Sequence, residues 1–127
     1  MNFNFLILYF FNYKNLNEMK ILVLGAGKMG SFFIDLLSFD HETAVYEKDP
    51  KRMRFTYNCQ RLTTLEEIKA FAPELVINAV TVKYTIPAFQ EVLPSLPADC
   101  IISDISSVKT NLKDYYETTG HRYVSTH

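Results

Sequence analysis

Three glycines in the run Gly25-Ala-Gly-Lys-Met-Gly30 are the residues whose spacing speaks most directly of chemistry. Gly-Xaa-Gly-Xaa-Xaa-Gly suits a turn that grips a pyrophosphate. Gly25 takes the sharp bend, Gly27 has no Cβ to hold phosphates off the backbone, and Gly30 lets a following helix pack closely. Lys28 and Met29 fall inside the same turn, where the free N–H groups of a helix start would face an anion. Glu47 is the second signal. It lies 17 residues after Gly30 and 22 after Gly25, near the spacing at which an acidic residue takes the ribose hydroxyls of an adenosine. A carboxylate there repels a 2′-phosphate and so favours NAD over NADP, a preference that the nearby Lys48 and Arg52 soften. Without the glycines, Glu47 would read as an ordinary solvated charge at a strand end.

These residues need elements to hold them. Ile21 to Leu24 is an aliphatic run suited to a strand buried on both faces, and it leads straight into the glycines. Met29, Phe32, Phe33, Leu36 and Leu37 recur at near-helical spacing and give the next helix its expected apolar face. Thr43 to Glu47 reads as a second strand. Asp49-Pro50 opens a short helix to about Tyr57, and a weak third strand is expected at Cys59 to Leu62. Thr64 and Glu67 form a capping-box pattern for a helix over Leu65 to Phe71, closed by Pro73. Leu75 to Val80 is a second buried strand, which delivers Thr81, Val82 and Lys83 to the edge where loops touch a cofactor. Ile86, Phe89, Val92 and Leu93 mark another helix, with Pro87 in its first turn and Pro94 and Pro97 after it. Cys100 to Asp104 is a fifth strand, about Thr110 to Thr118 a last helix, and Arg122 to Ser125 a sixth strand. Strands alternating with helices imply an α/β fold, a doubly wound parallel sheet of Rossmann type in the order 3-2-1-4-5-6.

Ser106 to Lys109 and the terminal His127 follow strands at the carboxyl edge, which would turn them towards a nicotinamide ring. Each has a plainer reading. Ser106 or Ser107 also suits a helix cap, Lys109 a solvated first turn, and His127 a frayed chain end.

From Met19 onward the chain resembles the cofactor domain of the prephenate dehydrogenases. The resemblance is carried by Gly25-Ala-Gly-Lys-Met-Gly30, Tyr46-Glu-Lys-Asp-Pro50, Asp104-Ile-Ser-Ser-Val-Lys109 and Tyr123-Val-Ser-Thr-His127. It implies NAD-dependent oxidative decarboxylation of prephenate to 4-hydroxyphenylpyruvate, a step of tyrosine biosynthesis in the cytoplasm. It also implies catalytic roles for two residues: His127 takes the proton of the ring hydroxyl and Ser107 helps to hold that hydroxyl. It implies, further, a helical domain after the histidine that carries the substrate-binding arginine and most of a homodimer interface. The residues quoted do not reach such a domain. An arogenate or other small hydroxy-acid dehydrogenase is the neighbouring reading, and a non-catalytic NAD(P)-binding module is the reading from another class.

Composition narrows the rest. The 127 residues are 48% hydrophobic, enough for one sizeable core. Thirteen basic and fourteen acidic residues are spread along the chain, which leaves no basic footprint for nucleic acid or an anionic membrane. Cys59 and Cys100 stand far apart, outside any Cys/His cluster, so they read as buried thiols and no metal site is expected. Residues 1 to 18, with the apolar run Phe3 to Phe11, lack the basic start and cleavage site of a signal peptide and are too short for a membrane span. The expected division is therefore an extension at 1–18, with an added edge strand as its alternative, and a dinucleotide-binding domain at 19–127.

Overall fold

The computed structural model describes residues 18–53, 56, 58–106 and 111–124. They form a six-stranded parallel sheet in the order β3-β2-β1-β4-β5-β6, as the alternation of strands and helices implies. The strands are β1 (Lys20–Leu24), β2 (Glu42–Tyr46), β3 (Gln60–Leu62), β4 (Leu75–Asn78), β5 (Ile101–Asp104) and β6 (Tyr123–Val124). Helices α1 (Lys28–Leu37), α2 (Pro50–Met53), α3 (Leu65–Phe71), α4 (Thr85–Val92) and α5 (Leu112–Thr119) connect them. Val82–Tyr84 and Leu93–Ser95 are 3₁₀ turns.

β1 is the centre. It pairs with β2 through Leu22↔Ala44 and with β4 through Leu22↔Val76, and its Ile21 to Leu24 are fully buried. Alternate side chains serve opposite layers. Ile21 and Val23 pack with Phe33, Ile34 and Leu37 of α1, whereas Leu22 and Leu24 pack with Ile68, Phe71, Phe89 and Tyr116 of α3, α4 and α5. Such two-sided burial is why the strand is aliphatic throughout and shows no polar alternation.

The helix starts follow their local chemistry. Asp49 Oδ1 accepts from the Lys51 N–H at the start of α2. Both bonds of the capping box are made on α3, Thr64 accepting from the Glu67 N–H and Glu67 accepting from the Thr64 N–H. Ala72 in the left-handed region ends that helix one residue before Pro73.

The apolar face of α1 differs from the expected one. Gly30, Phe33, Ile34 and Leu37 face the sheet, while Met29, Phe32 and Leu36 are more than a third exposed and Phe39, just beyond the helix, is 87% exposed. The glycine decides this. A Cβ on Gly30 would lie 2.0 Å from the Gly25 carbonyl oxygen, so position 30 must face the strand and positions 33, 34 and 37 follow it at helical spacing. Two further expectations are corrected. β4 stops at Asn78, two residues early: the Ala79 N–H still donates to the Leu24 carbonyl, but the Val80 N–H is taken by the Asn78 side chain, which also donates to the Thr85 carbonyl and turns the chain into the loop. Cys100 is buried, but Cys59 is only half-buried, at the exposed start of β3.

Candidate functional site

All six strands run the same way, so their carboxyl ends open on one edge of the sheet. There a crevice of about 730 Å³ lies between the loops after β1 and β4, where the strand order reverses. Gly25, Gly27, Lys28, Met29, Glu47 and Thr81 all line it, together with Ser106. Gly30 lies behind them, buried under the turn. Ser107, Lys109 and His127 lie outside the described residues.

The three glycines are held for three different reasons. Gly25 has a φ of +93°, in the region that favours glycine, and its N–H donates to the Tyr46 carbonyl at 2.9 Å. Gly30 is required by contact, as described above. Gly27 is required by neither. Its φ and ψ of −73° and −164° suit any residue, and among the described residues a Cβ placed on it would meet nothing within 4 Å. Gly27 itself lines the crevice. Gly27 also occupies the cap position of α1 without a side-chain bond to the helix N–H groups.

Glu47 stands one residue past β2. Its Oε1 accepts from the Ala26 N–H at 3.0 Å and its Oε2 from the Asp49 N–H at 3.1 Å, so the carboxylate is locked against the glycine turn. The side chain is 12% exposed. Arg52 Nη1 is 4.0 Å from the same Oε1, and Lys48 Nζ is 2.7 Å from Glu91 Oε2. Both cations flanking Glu47 therefore sit beside carboxylates of the protein.

Across the crevice the loop after β4 carries exposed Thr81, whose carbonyl accepts from the Tyr84 N–H and the Thr85 hydroxyl. After β5, buried Asp104 accepts from the Ser106 N–H at 2.8 Å and from the Tyr116 hydroxyl of α5. Burial, and then the charge of Asp104, push the Tyr116 phenol far above its ordinary value and keep it a donor. The turn that leads to Ser106 is thus anchored to the core.

Sequence reasoning missed the contact between the end of β2 and α4 beside Glu47. Tyr46, at the end of β2, donates its hydroxyl to Glu91 Oε1 of α4 at 2.8 Å. Burial, and then that bond, push Tyr46 up to about 12. Burial works against the Glu91 carboxylate, but the bonds from Lys48 and Tyr46 outweigh it and hold its pKa below the usual range. No spacing rule connects positions 46, 48 and 91.

A parallel sheet of this order, with a glycine turn after its first strand and an acid after its second, defines a dinucleotide-binding domain of Rossmann type. The chain belongs to the family described as prephenate dehydrogenase, nucleotide-binding domain, which matches residues 30–127. The match starts at the last glycine of the turn, so it is independent of Gly25 and Gly27. Among solved structures, prephenate dehydrogenase from A. aeolicus, in complex with hydroxyphenyl propionate and NAD+, is similar at 24% identity with a TM-score of 0.70. Synechocystis arogenate dehydrogenase follows at 21% and 0.67, and a PanE/ApbA family ketopantoate reductase from Ralstonia eutropha JMP134 at 14% and 0.70. The aligned regions cover 88%, 80% and 84% of this chain but only 42%, 37% and 40% of those chains. No curated protein matches the sequence. Among the described residues no helix is long and apolar enough to cross a membrane.

Proposed function

We propose that this chain is the NAD-binding part of a dehydrogenase that oxidises prephenate with loss of carbon dioxide, supplying 4-hydroxyphenylpyruvate for tyrosine biosynthesis. The observation that carries the cofactor reading is Gly27. Among the described residues nothing needs a glycine there, and Gly27 lines the crevice with open space where a Cβ would stand, as a cradle for a pyrophosphate would. The N–H groups at the start of α1 would meet the phosphates, with Gly25, Lys28 and Met29 around them, Gly30 allowing the close approach of the helix, and Thr81 on the facing loop. Glu47, fixed by two backbone N–H groups, would accept from the ribose hydroxyls. Its negative charge, and the pairing of Lys48 with Glu91, favour NAD over NADP, while Arg52, 4.0 Å from Glu47 Oε1, offsets part of that charge.

NAD, when bound, would supply the hydride acceptor. The task of the chain is then to position and to move one proton. By the family resemblance, His127 takes the proton from the ring hydroxyl of prephenate and Ser107 holds that hydroxyl. A neutral imidazole, with an ordinary pKa of about 6.5, suits that work near neutral pH. The remaining substrate contacts and the dimer interface are assigned to a helical region outside residues 19–127, in keeping with coverage of 42% of the Aquifex enzyme.

Two measurements test this reading. Titration of the 127-residue chain should give saturable NAD binding that Gly27→Val removes, and no binding by wild type would refute the cofactor reading. NADH formation by the native-length protein, followed with prephenate and with arogenate, should favour prephenate. Turnover of arogenate alone would transfer the assignment to that substrate, and turnover of neither would favour a binding module.

A further inference from the structure

Lys48 follows Glu47 directly and lines the same crevice, where a free ammonium would attract a phosphate. It is instead held on the far wall. Its Nζ lies 2.7 Å from Glu91 Oε2, while Glu91 Oε1 accepts from the Tyr46 hydroxyl at 2.8 Å. Tyr46 belongs to β2 and Glu91 to α4, so the three side chains bridge the crevice beside the residue assigned to the adenosine ribose. Glu91 is the less exposed member of the ion pair, at 29% against 69% for Lys48, and it is the fixed end of the bridge.

We propose that Glu91 is a cofactor-selectivity residue: by holding Lys48 it withholds the cation that a 2′-phosphate would need, and the crevice rejects NADP from the α4 side as well as through Glu47. This rests on the dinucleotide reading given above. It differs from simple repulsion by Glu91, because it assigns the effect to release of Lys48. Replacing the carboxylate by an amide keeps an acceptor for Tyr46 and removes the charge that retains the ammonium.

The test is titration of NAD and NADP into the full 127-residue chain at low salt, in wild type, Glu91→Gln, Lys48→Met and the double variant. Wild type should prefer NAD. In Glu91→Gln the ratio of the NADP to the NAD dissociation constant should fall about fivefold, a gain that shrinks at high ionic strength as screening of an exposed ion pair requires. Lys48→Met alone should leave the ratio unchanged, since the ammonium is already engaged, and in the double variant the gain should vanish. An unchanged ratio in Glu91→Gln overturns the proposal, as does a gain that survives in the double variant. A ratio that rises in Lys48→Met also overturns it, and that exposed variant keeps the question decidable if Glu91→Gln fails to fold. Failure of wild type to bind either dinucleotide would refute the cofactor reading itself, and it would appear before any variant is compared.

Discussion

Gly27 and Gly30 are three residues apart in one turn, yet the structure gives them opposite liabilities. A Cβ at position 30 would sit 2.0 Å from the Gly25 carbonyl oxygen, and backbone cannot yield as a flexible side chain can. Gly30→Ala should therefore lower stability, by about 2 kcal/mol or more, as overpacking in a tight core does. A Cβ at position 27 meets no atom of the described residues within 4 Å, so Gly27→Val should leave the urea midpoint near that of wild type while weakening NAD binding at least about tenfold, the cost of displacing a phosphate from backbone N–H groups. Urea denaturation paired with an NAD titration separates the two. A Gly27→Val protein that unfolds early, or binds NAD normally, would remove the argument that this glycine serves a ligand. Glu47→Ala belongs beside them. It frees the Ala26 and Asp49 N–H groups and removes the carboxylate proposed to meet the ribose, so NAD affinity should fall while the NADP to NAD ratio moves towards NADP.

Among the elements, those that local chemistry dictates were legible in the sequence, and those that distant contacts decide were not. Lys20 to Gly30 declares its strand and turn by adjacent residues, and Thr64 and Glu67 declare the start of α3 three positions apart. The side of α1 that faces the sheet was not readable from hydrophobicity, because Met29, Phe32 and Leu36 are as apolar as the residues that won. The contact between Gly30 and Gly25 settled it. Glu47 was legible because the length of one helix and one strand fixes its distance from the glycines. The Tyr46–Glu91 bond, 45 residues apart in sequence, depends on α4 crossing over the sheet, and no periodicity encodes it. The link between Asp104 and Tyr116 is of the same kind. It ties the end of β5 to α5, and Tyr116 also stacks on Tyr123 with ring centres 4.8 Å apart and meets Phe89 edge-on. Tyr116→Phe keeps the rings packed and removes a hydrogen bond to a buried carboxylate, so it should cost about 1.5–3 kcal/mol of unfolding free energy in urea titrations. A loss below a few tenths would mean that Asp104 is satisfied without the phenol.

At the scale of the whole molecule, the sheet separates the edge that carries the crevice from an edge that carries a buried histidine. The crevice lies at the carboxyl ends of the strands. His41 lies at their amino ends, in the turn before β2, where its Nδ1 accepts from the Met19 N–H at 3.0 Å just before β1. That bond needs an unprotonated Nδ1, and burial lowers the His41 pKa below 6.5, outweighing the opposing pull of Asp40, Glu18 and Glu74. The unfolded chain protonates this residue at about 6.5, so below that pH it binds more protons than the folded chain does. The contribution of His41 is therefore complete above about pH 6.5 and declines as pH falls from there towards the lowered folded value. Urea midpoints measured between pH 7.5 and 5 should trace this decline in wild type, and His41→Gln should flatten it even if its stability at pH 7.5 is lower. Because the crevice is at the opposite edge, the Gly27→Val protein should keep the wild-type pH slope even as its NAD titration weakens. A slope that persists in His41→Gln would assign the effect to other groups, and one that vanishes in Gly27→Val would couple the two edges that the sheet holds apart.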